Sequence, residues 1–258
     1  MTDSAQLKRF PLFDSHFHII DRRFPLTPNN GYLPDPFSVS DYLHRVDGLH
    51  VSGGAVVSGS FQAFDQSYLK DALAQLGPSF VGVTQIPADA TDDEILDLDR
   101  AGVRAVRFNL YRGGSATLTD VDSLARRVHD LAGWHSEFYL DAADLADLEP
   151  TLAGLPQASI DHLGMSDDTS GALLRLVESG MVVKATGFGR MTVSDPDSLM
   201  HNIVNANPAA LILGSDLPST RAAIPFSDSD IDRVAHAVGA EHVAAVLAGN
   251  ARRFYRLA

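Results

Sequence analysis

Eight short runs of strand-forming residues, each followed by a helix-like stretch, constrain this chain more than any other feature. The runs cover residues 12–19, 54–58, 80–86, 104–110, 137–141, 158–161, 181–186 and 211–214. Helical patterning falls between them at 65–76, 91–101, 121–132, 143–153, 170–179 and 196–205, and again at 228–257, where two helices are expected. Strands that alternate with helices at this spacing pair in parallel, because the crossover between parallel neighbours needs a dozen or more residues. Eight such units predict a closed (β/α)8 barrel, with a doubly wound open sheet as the alternative that shares the same local patterns. The length of 258 residues suits one barrel of about 250 residues. A single domain over 1–258 is therefore expected, and no internal repeat, low-complexity tract or linker divides the chain.

Helix ends carry their own signals. Thr91 followed by Glu94 is a capping-box pattern. Gly102, Gly133, Gly154 and Gly180 stand where left-handed C-terminal caps are expected. One segment breaks the rhythm: residues 21–36 hold Pro25, Pro28, Pro34 and Pro36 with Asn29, Asn30 and Gly31. Such a density of turn formers predicts a loop. It follows the first strand, so in a barrel it lies on the face where active sites form and is placed to cover one; a plain connecting loop is the simpler reading.

Composition narrows the function. Apolar residues make up 45% of the chain and charged residues 21%, as in ordinary globular proteins. There is no cysteine, which excludes disulfides and thiolate metal sites. The formal net charge of −13 repels phosphate backbones, so nucleic acid is not an expected partner. Local arginines can still attract a small anion, because screening acts over about 8 Å at physiological salt. Residues 1–9 are polar and lack the apolar run of a signal peptide. No stretch approaches the roughly 20 apolar residues of a membrane span. A cytoplasmic protein that does not engage membranes is expected.

In a barrel, the C-terminal strand ends carry chemistry. The sequence Asp14-Ser15-His16-Phe17-His18 alternates, which assigns Asp14, His16 and His18 to one face and Phe13, Phe17 and Ile19 to the other. Imidazoles facing into a barrel are costly to bury unless partnered. His16 and His18 can converge on one metal ion or one water; otherwise they are a solvated or hydrogen-bonded pair. Asp216 follows the apolar run Leu211-Ile212-Leu213 and reads as a general base, or as a turn residue before Pro218. His162 ends the sixth strand after Asp161 and supplies a third imidazole, while Asp161 is expected to face the helix layer. On the fourth strand, Val106, Phe108 and Leu110 share one face and Arg107 and Asn109 the other. A buried Arg107 needs an anion, either substrate or an internal partner such as Asp14 or Glu137. Tyr139 faces opposite to Phe138 and Leu140, and Arg190 ends a glycine-containing loop after strand seven. The remaining histidines, His44, His50, His129, His135, His201, His236 and His242, are expected at the surface.

The elements at 14–18, 161–164 and 214–218 resemble the DxHxH, DHxG and GxDxP motifs of the amidohydrolase superfamily, in particular its lactonases of the 2-pyrone-4,6-dicarboxylate lactonase type. The likeness extends through GVRAVRFNL, GWHSEFYLDAADL and KATGFGR. It implies an amidohydrolase-type barrel that hydrolyses a lactone. It places His16, His18, His162 and Asp216 at the reactive centre, and Arg107, Tyr139, Arg190, Ser60 and Tyr32 at substrate-binding positions. One departure is local: the second arginine of the family pattern falls near Gly113, whereas here it is Arg112.

Many amidohydrolases add a strand-five histidine and a strand-four carboxylate or lysine. Here those strands offer Tyr139 and Arg107, so the expected cofactor is none, or one divalent ion such as Zn or Mn held by His16, His18, His162 and Asp216. The expected partner is a small, anionic substrate, with a homo-oligomer possible in principle. The expected reaction opens a carboxylated pyrone, a muconolactone-like compound or a sugar lactone. The rivals are a mononuclear-metal decarboxylase of aromatic or muconate-like acids and a non-catalytic small-anion binding protein.

Overall fold

The structure, a computed structural model, describes residues 10–113 and 115–257. Residues 1–9, expected to be a polar start without a signal peptide, lie outside the described residues, as do Gly114 and Ala258. Eight parallel strands form one sheet in sequential order. They are β1 (Leu12–Phe17), β2 (Val51–Val57), β3 (Phe80–Thr84), β4 (Val103–Asn109), β5 (His135–Tyr139), β6 (Ala158–Ile160), β7 (Val182–Ala185) and β8 (Leu211–Leu213). Between and after them run α1 (Val39–Arg45), α2 (Ser67–Leu76), α3 (Asp92–Arg100), α4 (Val121–Ala132), α5 (Leu145–Leu152), α6 (Ala172–Glu178), α7 (Pro196–Ala206), α8 (Ser229–Ala244) and α9 (Asn250–Phe254). This is the (β/α)8 barrel that the alternation predicts.

The sheet closes on itself just beyond β8. The Asp216 amide donates to the His16 carbonyl and the His18 amide to the Leu217 carbonyl, both at 2.7 Å, and Phe17 forms a parallel bridge with Leu217. Gly214 permits that approach: a Cβ there would stand 2.8 Å from the His16 nitrogen.

Two apolar regions hold the layers together. Phe13, Ala55, Val57, Val81, Val83, Ala105 and Ile212 pack together in the barrel's own core. Beneath them a π-helical turn, Ala245–Gly249, and α9 tuck the end of the chain under the barrel. Tyr255 stacks there on Phe13 with ring centroids 5.6 Å apart. A larger cluster between strands and helices includes Phe17, Tyr42, Val106, Phe108, Trp134, Phe138 and Ile160.

The helix signals fare unevenly. Thr91 and Glu94 form both bonds of the capping box on α3, and Gly133 caps α4 in the left-handed conformation. Gly102 and Gly180 also have positive φ. Gly154 does not; α5 ends on Ala153 in right-handed geometry, leaving no need for a glycine. The terminal region divides into α8 and α9 as expected. Helix α1 was not legible as a periodic stretch: it spans seven residues, opening with a capping box in which Asp41 takes the place of Glu or Gln opposite Ser38.

The strict alternation expected for 12–19 is broken. Register irregularities fall on both sides of Asp14. They turn Phe13 into the barrel core and Asp14 outward, where it accepts from the Tyr42 hydroxyl at 3.1 Å. Phe17 stacks on the same Tyr42 at 3.7 Å. Asp14 therefore does not share the face of His16 and His18, and Phe13 does not share that of Phe17. Each irregularity resets which side the next residue takes.

Candidate active site

His16 and His18 leave β1 on the inner side, with ring centroids 5.1 Å apart. Asp216 meets them from the end of β8. Its Oδ1 is 3.8 Å from His16 Nε2 and 3.5 Å from His18 Nε2. His162 comes from the end of β6, its ring 4.9 Å from that of His16. The four expected reactive residues thus converge, and all are buried. Asp216 and His162 both adopt positive φ, +60° and +54°, a region non-glycine residues seldom occupy and one that gathers at functional sites.

Backbone anchors set these positions. The Asp14 carboxylate accepts from the Ser215 amide at 2.8 Å and the Ser215 hydroxyl at 2.6 Å, and from the His16 amide at 3.3 Å. It thereby fastens the residue before Asp216 to β1. Burial pushes the Asp14 carboxyl up to about 6, against the opposing effect of these bonds. Gly187 leaves room for His162: a Cβ there would come within 2.6 Å of its Nδ1.

Proton inventories differ among the imidazoles. His18 Nδ1 lies 2.7 Å from the Val57 carbonyl, which can only accept. Nδ1 therefore carries a proton, and Nε2 is the ring nitrogen that faces Asp216. Both nitrogens of His162, and His16 Nε2, are buried without a hydrogen-bond partner. Burial lowers the His16 ring to about 4, against the nearby Asp161 carboxylate. It lowers His162 well below the ordinary histidine value, against Asp216. Both rings are neutral near pH 7. Burial alone would raise Asp216, but Arg190, His162, His18 and His16 together hold it well below the carboxylate range. Arg190 is the strongest of these, with Nη2 2.7 Å from Asp216 Oδ2.

Arg107 faces inward as expected, but its internal partner is neither Asp14 nor Glu137. Its Nε and Nη2 donate to Asp161 Oδ2 at 3.0 and 2.9 Å, and Nη1 donates to the Ser58 carbonyl at 3.0 Å. Asp161 is correspondingly inside the barrel, not against the helix layer. β6 ends at Ile160, and the left-handed turn at His162 and Leu163 ends the alternation, so Asp161 and His162 both point inward. His135 is a second correction. It is buried on β5 and bonds through Nε2 to Glu137 at 3.0 Å. The other six histidines expected at the surface are exposed or half-buried.

Glu137 also accepts from the Tyr255 hydroxyl at 2.6 Å and from Lys184. Lys184 was not singled out as a site residue. A lone lysine inside the apolar strand Val182–Ala185 was its signal, since lysine is almost never fully buried unless paired.

The mouth above this centre is rich in cations. Ser60, Tyr139, Arg107, Arg112, Arg190 and Arg221 line it with His18. Arg112 Nε donates to the Tyr139 hydroxyl at 3.3 Å. Arg221 sits 4.3 Å over the Tyr32 ring and donates to the Asn29 carbonyl at 2.6 Å. Asn29 reaches across to the Arg112 carbonyl at 3.4 Å. The proline-rich segment thus forms a strap over the mouth. Arg107 and Arg190 already hold carboxylates, whereas no ion pair of Arg112 or Arg221 is found among the described residues. Arg221 carried no motif in the sequence; only its place after β8 brings it to the site.

Candidate metal ligands form two overlapping groups, His16–His18–Asp216 and His16–Asp161–His162, each with ligand atoms within 4.8 Å of one another. The first group suits one divalent ion when His16 carries its proton on Nδ1: His16 Nε2 and Asp216 Oδ1 are then acceptors without a hydrogen-bond partner, while Asp216 Oδ2 is held by Arg190.

Residues 13–257 match the amidohydrolase family profile. The sequence is 32% identical to a 2-pyrone-4,6-dicarboxylate hydrolase of Comamonas testosteroni over 164 residues, 61% of this chain and 53% of that protein. The chain thus spans about half the length of that relative. It is 28% identical to a 4-sulfomuconolactone hydrolase of Rhizobium radiobacter over 233 residues, 80% and 75% of the two chains. A Pseudomonas putida structure provisionally assigned as a 2-pyrone-4,6-dicarboxylic acid hydrolase superposes with a TM-score of 0.77 at 26% identity, covering 96% of this chain and 98% of that one. On the match of 13–257, the chain belongs to the amidohydrolase family.

Proposed function

We propose that the protein hydrolyses a small anionic lactone, with residues 1–258 working as one domain. The observation that carries this reading is the position of Asp216. Its carboxylate is buried, pairs with Arg190 through Oδ2, faces two imidazoles through Oδ1 and lies beneath a mouth rimmed by arginines. Asp216 takes a proton from water as the water oxygen bonds to the lactone carbonyl carbon; the tetrahedral adduct then collapses with cleavage of the ring C–O bond, and the proton passes to the leaving ring oxygen. His16, His18 and His162 surround the carbonyl, and an imidazole N–H aimed at the oxyanion is worth about 2.7–4 kcal/mol. A divalent ion such as Zn or Mn, if bound, would be held by His16, His18 and Asp216 and would polarise the same carbonyl.

Arg190 links binding to basicity. While it pairs with Asp216, the carboxylate is a poor base. A substrate carboxylate that engages Arg190 competes for that cation and raises the basicity of Asp216 as the substrate arrives. Arg112 and Arg221, with no carboxylate of their own among the described residues, are the other anion-binding groups, and Tyr139, Ser60 and Tyr32 border the same space. This charge favours a carboxylated pyrone or muconolactone-like compound over a neutral sugar lactone.

The test is turnover of matched carboxylated and uncharged lactones, followed by acid release, in chelator-treated and metal-supplemented protein. Preference for the carboxylated member supports the reading. Tight binding without turnover across the panel would replace it with a small-anion binding protein. Chelator-sensitive release of carbon dioxide would replace it with a decarboxylase.

A further inference from the structure

Beneath His16 lies a buried set of charges that the reaction as described does not use. Lys184 Nζ, fully buried on β7, donates to Glu137 and to the Ser15 carbonyl at 3.1 Å. It stands 3.4 Å from His16 Nδ1 and 3.5 Å from Asp161 Oδ1. Two carboxylates, Glu137 and Asp161, thus face two cations, Lys184 and Arg107. The edges of the set are closed by the Tyr255 hydroxyl and His135 on Glu137.

We infer that Lys184 is a positioning residue that fixes the tautomer of His16, putting its proton on Nε2, so that His16 meets the reaction centre as a hydrogen-bond donor. Two groups compete for His16 Nδ1, and they demand opposite things of it. The Asp161 carboxylate, with Oδ1 also at 3.4 Å, can only accept and would need Nδ1–H. The lysine can only donate and needs the Nδ1 lone pair. The hydrogen-bond geometry favours the lysine: Nζ and Nδ1 are bonded, whereas Asp161 Oδ1 has no hydrogen-bond partner. The other Asp161 oxygen is already held by Arg107.

His16 and His18 then stand in opposite states around Asp216. A neutral His18 presents a lone pair at Nε2, because its Nδ1–H is spent on Val57. His16 presents Nε2–H. One can hold water or a cation; the other can hold an oxyanion. Lys184 is what keeps them different. Without it, Asp161 captures the His16 Nδ1 proton, and Nε2 becomes a second lone pair suited to a metal ion. The consequence for catalysis rests on the lactonase reading; the tautomer itself does not.

The experiment is nitrogen NMR on chelator-treated protein labelled at histidine, with the His16 signals assigned from His16→Gln. The wild type is expected to show protonated Nε2 at His16. Lys184→Met alone leaves Glu137 uncompensated in the core, so the decisive variant is Lys184→Met/Glu137→Gln, with the other histidine signals checking that the fold is retained. It is expected to show protonated Nδ1 at His16 and to bind Zn2+ about 10-fold more tightly, on the scale at which groups behind a ligand tune metal affinity. Protonated Nδ1 in the wild type, an unchanged tautomer in the double variant, or unchanged or weaker Zn2+ binding there would overturn the inference. Absence of lactone turnover would overturn the proposed function and leave the tautomer result standing.

Discussion

Arg107→Met separates an arginine that reads substrate from one that holds the barrel together. The guanidinium makes two bonds to Asp161 Oδ2 and one to the Ser58 carbonyl, so the substitution leaves a buried carboxylate without its nearest cation. Breaking a buried pair from one side costs about 3–5 kcal/mol. Lys184, 3.5 Å from Oδ1, still compensates in part, which places the loss near the lower end, at about 3 kcal/mol. For a chain of this size each kcal/mol moves Tm by about 2–4 °C, giving a drop of about 6–12 °C. The activity that remains is expected to fall alike on carboxylated and uncharged lactones, because the defect lies in the scaffold behind His16. Arg107→Met/Asp161→Asn, which removes both charges, is expected to recover most of the lost stability. The assay pairs thermal denaturation with kcat/KM on the matched lactones. A Tm within 2 °C of wild type, with a loss confined to carboxylated substrates, would refute this and make Arg107 a substrate ligand.

Arg221→Met is expected to raise KM for a carboxylated lactone about 10- to 100-fold, the scale of one charge-assisted bond, while a neutral lactone is unaffected; equal effects on both would remove Arg221 from anion binding. Asp216→Asn keeps the shape of the site and should lower kcat about 10²- to 10⁴-fold, and near-normal turnover would make it a turn residue only. Metal analysis of active protein is expected to find at most one divalent ion per chain, and two equivalents would contradict that. Acidification should destabilise the metal-free protein. The rings of His16 (about 4), His162 and His135 are all lowered from the ordinary 6.5, so between pH 6.5 and 4 the unfolded chain binds the more protons there and stability falls with pH. Asp14, raised to about 6, acts in the opposite sense. The three rings outnumber it, so a net loss of stability on acidification is expected; a Tm that stays flat from pH 7 to 5 would refute these shifts.

The barrel was legible because eight apolar runs must pair somewhere, and helical spacers leave parallel pairing as the solution. His16, His18, His162 and Asp216 were legible because polar side chains at strand ends need a purpose. The failures share a cause: alternation predicts a facing only while a strand remains regular. Irregular register moved Asp14 outward and Phe13 inward, and the left-handed His162 brought Asp161 in beside it. His135 looked like a surface histidine because nothing near it in sequence identifies Tyr255, Phe254 or Lys184 as its surroundings. Arg112 and Arg221 gain meaning only from the strap that joins their loops, a contact between segments far apart in the chain.

The seam between the first and last strands has a consequence for how activity can be used. The bonds that close the barrel, from the Asp216 amide to the His16 carbonyl and from the His18 amide to the Leu217 carbonyl, involve three residues of the proposed reactive centre. A chain divided on the opposite side of the barrel, between α4 and β5, would leave each half with one edge of that seam. Neither half would hold the reactive pair, and mixing the two would restore turnover only as the first strand met the last. Catalysis would then report barrel closure itself, independently of how much helix or strand each fragment had already formed.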